Sequence, residues 1–431
     1  MESLNFDDSK WINADTPWGI VCPKDIWEPF PIGPALVSQQ IPASEHVPQR
    51  IKLVRKAENV TIPGGFPAKK STIVFKPNTT AKILLDQTHL TNAYPVVEFN
   101  GGKDAKVTIK YAESLYIPTT VPGLVPKEKG HRDDIEGKQF VGAYDQFTAD
   151  GKKHTFESLW WRTWRYVELT VTTAEEPLVI EDLYGIFTAY PFELKSDFQT
   201  DVKEIKPILD VGWRTARLCA NETYFDCPYY EQLQYVGDTR IQALISVYNS
   251  GDTRLMKNAI RQIKNSLSGD GITQARYPSN LEMFIPTFCL IWVAMVHDYY
   301  IHTRDITLIK ETIPVIRSIM FYFIRFTNQD GSLKKVPHWN FVDWTGEEIW
   351  PGGMPPRDEN GNSATLDLLY LISLQNAVEI EKNVGEDYYY YQKLKLQEEK
   401  LSLAVVAKYW NPKTKMFSEK PGEEIYSQHA N

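Results

Sequence analysis

Hydrophobic and polar positions divide this chain into two regimes. From about residue 70 to 192 the apolar runs are short and alternate with polar positions. Residues 71–75, 81–85, 96–99 and 105–111 are β-branched or aromatic stretches of strand length. Asn100-Gly101 and Asp150-Gly151 separate such runs and supply the positive-φ positions that tight turns need. Along 159–171, Thr163, Arg165, Val167 and Leu169 alternate with Arg162, Trp164, Tyr166 and Glu168, as in a sandwich strand whose arginines stack on neighbouring rings. Strands at this spacing predict a β-sandwich or jelly roll.

Near Ser196 the period changes to helical. Ile205, Ile208, Leu209, Gly212 and Trp213 mark one face of a helix at about 203–220, and Ile241, Leu244, Ile245 and Tyr248 one face of another at 239–250. Asp252 caps a third helix, and more are expected at about 283–303, 305–327, 363–384 and 386–410. Helices in series joined by loops of alternating length suit the antiparallel pairs of an α/α toroid, which at ordinary lengths takes roughly 300 residues or more. The stretch after Ser196 is shorter, and it stops in Tyr426-Ser427-Gln428-His429-Ala430-Asn431 as if an element were beginning, so a truncated product is expected. Three parts result: an extended Pro/Trp-rich segment over 1–60 packing on the β domain, with Trp11, Trp18 and Trp27; a β domain over 61–195; and a helical domain over 196–431.

Composition narrows the function classes. A net charge of −8 with no basic block argues against nucleic acid, and no apolar run is long enough to insert in a bilayer. The N-terminus has neither the charge nor the apolar core of a signal peptide, which leaves the compartment open. Cys22, Cys219, Cys227 and Cys289 form neither a disulfide framework nor a metal spacing, and His297 and His302 lie off a common helix face; neither metal nor cofactor is expected. The 12 Trp and 23 Tyr suit sugars, whose flat C–H faces and hydroxyl rims match rings with polar tips.

One stretch concentrates the chemistry. Residues 224–238 carry Asp226, Glu231 and Asp238 among Tyr229, Tyr230 and Tyr235, between two helical segments. Cleaving a glycosidic bond takes two carboxyl groups, one protonated, and crowding carboxylates or walling them with aromatics raises a carboxyl pKa toward neutrality. Glu231 has both kinds of neighbour. The plainer alternative is that Asp238 caps the following helix while Asp226 and Glu231 are solvated. Trp339, Asp343 and Trp344, within 337–344, fit a sugar platform with a hydroxyl acceptor, or else a turn whose rings plug the core. Arg276 lines the same mouth or makes a surface ion pair.

The run Glu222-Thr223-Tyr224-Phe225-Asp226-Cys227-Pro228-Tyr229-Tyr230-Glu231-Gln232, continuing to Gly237-Asp238, resembles the catalytic signature of the α-L-rhamnosidases of glycoside hydrolase family 78. The likeness extends upstream through 156–166 and downstream through Phe341-Val342-Asp343-Trp344. It implies an inverting hydrolase of rhamnose-containing glycans, with β-sandwich domains preceding an (α/α)6 barrel that would be incomplete here. Under it Glu231 is the general acid and Asp226 and Asp238 hold rhamnose hydroxyls and set the acid's pKa. Tyr230, Tyr235, Arg276, Trp339, Asp343 and Trp344 bind sugar. Tyr235 departs from the Trp that many members carry. No segment matches the family's general base, so hydrolysis is expected only from a longer chain. The alternatives are another α/α-barrel glycosidase, a polysaccharide lyase, or a catalytically silent carbohydrate-binding fragment.

Overall fold

A computed structural model describes residues 39–120 and 124–431, so Trp11, Trp18, Trp27 and Cys22 lie outside the described residues. Residues Ile41–Asn431 make one compact unit. Its β half is one antiparallel nine-stranded sheet: β1 (Val47–Gln49), β2 (Leu53–Glu58), β3 (Ile73–Phe75), β4 (Thr80–Gly101), β5 (Lys106–Ala112), β6 (Tyr144–Thr148), β7 (His154–Glu157), β8 (Arg162–Thr172) and β9 (Leu178–Phe187). The main path runs β1-β9-β4-β8-β5-β6, with β2 and β7 also on β4 and β3 on β9. The two runs expected at 81–85 and 96–99 are therefore one strand of 22 residues. It spans four partners because its register slips between Asp86 and Thr91 and again between Glu98 and Phe99, bending it from one neighbour to the next. Ile83, Leu85, Val97, Val107, Leu169 and Val171 fill the sheet's own core. On β8, Arg165 spans Asp86 and Asp133 while its guanidinium lies 4.9 Å from the Tyr166 ring, and Arg162 grips Asp145 with two nitrogens.

Seven helices follow among the described residues: α1 (Ile205–Leu218), α2 (Val236–Ser250), α3 (Arg254–Lys264), α4 (Pro286–Thr303), α5 (Ile306–Ile324), α6 (Ala364–Asn383) and α7 (Tyr388–Tyr409). Local chemistry sets several ends. Gly251 takes the left-handed conformation that closes α2, Pro286 opens α4, and the Asp305 carboxylate caps α5 by accepting from the Leu308 N–H at 3.2 Å. α4 is apolar nearly all round and lies at the centre, packed by α2, α3, α5 and α6. A short hairpin of β10 (Trp410–Asn411) and β11 (Met416–Phe417) follows α7.

One expected face is reversed and another is split. On α2 the covered residues are Val236, Thr239, Ala243, Ser246, Val247 and Ser250, while Ile241, Ile245 and Tyr248 face outward. Small side chains let α2 approach α4 closely, and the Ser246 hydroxyl meets the Tyr224 hydroxyl at 2.7 Å. On α1 the expected stripe divides: Ile205 and Trp213 are half-buried, Trp213 against the helical core, while Ile208 is 63% exposed and Leu209 48%.

Further along, α6 and α7 lock through a fully buried Asp367. Its Oδ1 accepts the Leu333 N–H at 2.7 Å and its Oδ2 the Tyr409 hydroxyl at 2.7 Å. Lys408 beside it ties the Ser332 hydroxyl, Asn362 and Asp330 together. Burial pushes the Asp367 carboxyl up to about 6 against these donors.

Candidate functional site

The acidic loop is held from both sides. On the sheet side, the Pro228 carbonyl accepts from Thr163 Oγ1 at 2.6 Å, and the same hydroxyl contacts Asn92 Oδ1 at 2.8 Å. The Tyr229 hydroxyl donates to the Tyr111 carbonyl at 3.2 Å, and Phe225 lies against Trp161 with ring centroids 5.7 Å apart. On the helix side Gln242 Nε2 donates to the Phe225 carbonyl at 2.6 Å. Within the loop, Asp226 and Leu233 close a turn reciprocally: the Asp226 N–H donates to the Leu233 carbonyl and the Leu233 N–H to Asp226 Oδ1, each at 2.9 Å. Gln232 takes a left-handed φ of 55° inside that turn. One carboxylate oxygen of Asp226 thus serves the loop's own shape.

Asp238 is not a helix cap. The first turn of α2 begins at Val236 with Tyr235 as its N-cap, and Asp238 sits inside that turn. Burial raises its pKa, and the charges of Asp226, Glu231 and Asp343 raise it further, against its own backbone N–H. The leading charges that bear on it are those three carboxylates, so four carboxylates share one electrostatic neighbourhood. Glu231 is exposed, its N–H directed at Cys227 Sγ 3.5 Å away. Its carboxylate faces Tyr235, whose phenol is pushed up to about 12 by burial first and by Glu231 second. Arg276 Nη1 donates to the Tyr235 hydroxyl at 2.7 Å, and a β-bridge joins the two residues. Arg276 therefore stands behind Tyr235, with its buried Nε lacking a partner among the described residues.

The 337–344 loop reaches the same place through packing. A Cβ on Gly237 would come to about 3.0 Å from the Phe288 ring, so glycine eases the close approach of α2 to α4. Phe288 meets Phe341 edge-on at 5.9 Å, and the Thr287 hydroxyl donates to the Phe341 carbonyl. Trp339 and Trp344 flank Phe341, their centroids 4.9 and 5.0 Å from it. Trp339 is half-buried with its Nε1 donating to the Gly352 carbonyl at 2.9 Å, whereas Trp344 is 65% exposed. Asp343 Oδ1 accepts its neighbour Trp344 N–H at 2.8 Å, and Oδ2 lies 3.0 Å from His429 Nε2.

The structure thus gathers Asp226, Glu231, Asp238 and Asp343, with Tyr235 and Arg276 beside Glu231. Tyr230 turns elsewhere: its hydroxyl joins Tyr116 at 2.9 Å and Lys129, which is ion-paired to Glu113. One residue at the site was not found by sequence reasoning. His429, its ring tilted against Trp350 at 4.8 Å, meets Asp343 from far along the chain, and no local spacing announces it.

Comparison with known proteins agrees on one family. A family model described as the bacterial alpha-L-rhamnosidase 6 hairpin glycosidase domain matches residues 193–429, more than half of the chain. The chain is similar to a GH78 family rhamnosidase of Bacillus sp. GL1 at 18% identity and a TM-score of 0.66, covering 79% of this chain and 33% of that one. It is similar to a rhamnosidase from Klebsiella oxytoca with rhamnose bound at 14% identity and 0.70, covering 91% and 75%. Streptomyces avermitilis α-L-rhamnosidase complexed with L-rhamnose aligns at 17% and 0.60, covering 88% and 32%. At these identities the likeness is one of fold, and the chain spans about a third of the length of the Bacillus protein. No curated protein matches it.

Proposed function

The chain belongs to the bacterial α-L-rhamnosidase six-hairpin glycosidase family, and on that premise we propose that it acts in hydrolysing terminal α-L-rhamnose from glycosides or polysaccharides by inversion. The carrying observation is the gathering of Asp226, Glu231, Asp238 and Asp343 in one neighbourhood, where the first, second and fourth raise the Asp238 pKa beyond what burial does. Glu231 is the general acid. It is exposed to an incoming leaving group, with the Tyr235 phenol at its side and Arg276 behind, whereas Asp343, also exposed, is held by His429. Asp238 and the free oxygen of Asp226 accept sugar hydroxyls. Trp344 with half-buried Trp339 supplies a face for the C–H side of the ring, and Asp343 a further acceptor. Inversion requires a second carboxylate activating water on the far side of the sugar, roughly 6.5–9.5 Å from the acid. We read the sheet half, over 61–195, as a β-sandwich domain of jelly-roll type and the helices, over 196–431, as belonging to an (α/α)6 barrel; the long antiparallel β4 and the serial helix pairs support this.

The test is release of the aryl group from an aryl α-L-rhamnoside by a chain long enough to carry that second carboxylate, together with L-rhamnose binding by calorimetry. Glu231→Gln is expected to lower hydrolysis by about 10²–10⁴-fold while rhamnose still binds. Equal hydrolysis by the variant removes Glu231 from the acid's role. Rhamnose binding without hydrolysis by either protein would replace the hydrolase reading with a sugar-binding one.

A further inference from the structure

A cavity of about 400 Å³ lies between the sheet and α1, and no member of the acidic cluster lines it. Three features set it apart from an ordinary packing defect. First, α1 turns a largely polar face to it. Asp210, Trp213, Arg214 and Arg217, spaced i, i+3, i+4, i+7, face this cavity, while Ile208, Leu209 and Val211 face outward. Second, the opposite wall is the irregular stretch of β4. Between Asp86 and Thr91 the strand slips register, and Thr88 adopts a φ of 72°, a left-handed conformation costly for a β-branched residue. That detour brings His89 and Thr91 to the cavity. Strained stretches of this kind gather where side chains must be aimed.

Third, the polar groups are left incomplete. Arg214 has no hydrogen bond or ion pair among the described residues, and the buried Nε of Arg217 has no partner although its Nη2 pairs with Glu45. Asp210, the one lining carboxylate, is already paired with Lys206 at 3.0 Å. The charges acting on His89 are mainly positive, from Arg214, Lys52 and Arg165 against Asp86. Burial first, and then those cations, lower the His89 pKa, so the imidazole is neutral at neutral pH and can both donate and accept. Its Nδ1 faces the Thr88 hydroxyl at 3.3 Å, leaving Nε2 as the free ring nitrogen.

We propose that this cavity is a second carbohydrate site, taking a pyranose that carries a carboxylate. Trp213 and Phe187 offer rings to the C–H faces of the sugar. Arg214 receives the carboxylate, the anion that a guanidinium binds best. Gln49, His89 and Thr91 read hydroxyls; Thr91 Oγ1 already donates to Gln49 Oε1 at 2.8 Å, which leaves the Gln49 amide nitrogen as a donor. The volume accommodates one or two such units at ordinary pocket size. A flat aromatic acid would use the rings and Arg214 but not the hydroxyl-reading set, and inorganic phosphate would use Arg214 alone.

Calorimetry of the full chain with D-glucuronate, D-glucose, benzoate and inorganic phosphate tests this. Glucuronate is expected to bind one to one, with glucose, benzoate and phosphate each about tenfold weaker or more. Arg214→Gln, at an exposed position without partners, is expected to weaken glucuronate by about tenfold or more with unchanged thermal unfolding. Glu231→Gln and saturating L-rhamnose should leave glucuronate binding unaltered, so this site stands or falls separately from the hydrolase. Absence of glucuronate binding, equal binding of glucose, benzoate or phosphate, or indifference to Arg214→Gln overturns the proposal.

Discussion

Two carboxylates of the helical region, Asp367 fully buried and Asp238 half-buried, have surroundings built on opposite principles. Around Asp367 each oxygen has its donor, Lys408 stands near, and α6, α7 and the residue at Leu333 are fastened together. Around Asp238 the neighbours are further carboxylates, and burial is compounded rather than relieved. A satisfied polar group in the interior is a fastener. An unsatisfied one is tolerated where an incoming ligand supplies what is missing. Charge alone does not separate the two cases; the partners do.

The sharpest way to break this contrast is to remove each carboxyl in turn. Asp367→Ala strands the Leu333 N–H and the Tyr409 hydroxyl inside the protein, and is expected to cost about 3–4 kcal/mol in urea unfolding. A loss no larger than that of a surface substitution would mean the network is not a fastener.

The next effect is a pH dependence. The Asp367 carboxyl is raised to about 6 in the fold, above its unfolded value near 3.9, so the folded state binds that proton more tightly. Its contribution is present below pH ~4 and is lost as pH rises toward 6, by about 2–3 kcal/mol. Asp367→Asn should flatten the wild-type decline between those pH values, measured as the difference between the two unfolding curves. A parallel pair of curves would assign the decline to other groups.

The smallest effect has the opposite sign. Asp238→Asn relieves crowding among like charges, and at pH 7 it is expected to leave stability unchanged or raise it by less than about 1 kcal/mol, while L-rhamnose binding weakens. If the Asn variant instead unfolds as readily as the Asp367 variants, the acidic cluster is structural and the contrast fails.

Much of this was legible in the chain. The switch from alternating to helical period near Ser196, the positions of the long helices, and the acidic loop all follow from local rules. What local rules missed was orientation. Periodicity finds the most apolar stripe of a helix, but α2 covers another stripe, because Ala243, Ser246 and Ser250 permit close approach to α4, and α1 covers only part of its own, because Asp210, Arg214 and Arg217 line a cavity. The merging of two expected strands into β4 was hidden because a strand that bends between partners looks interrupted. Contacts such as Asp343 with His429, or Tyr230 with Lys129, leave no trace in spacing, since each joins segments brought together only by the finished fold.

The grip of the sheet on Phe225–Tyr230 has a bearing on how the molecule is made. Thr163, Tyr111 and Trp161 all precede the loop in the chain, so during synthesis the mould emerges from the ribosome before the piece it shapes. A helical half produced without that mould would have to cast its acidic turn unaided.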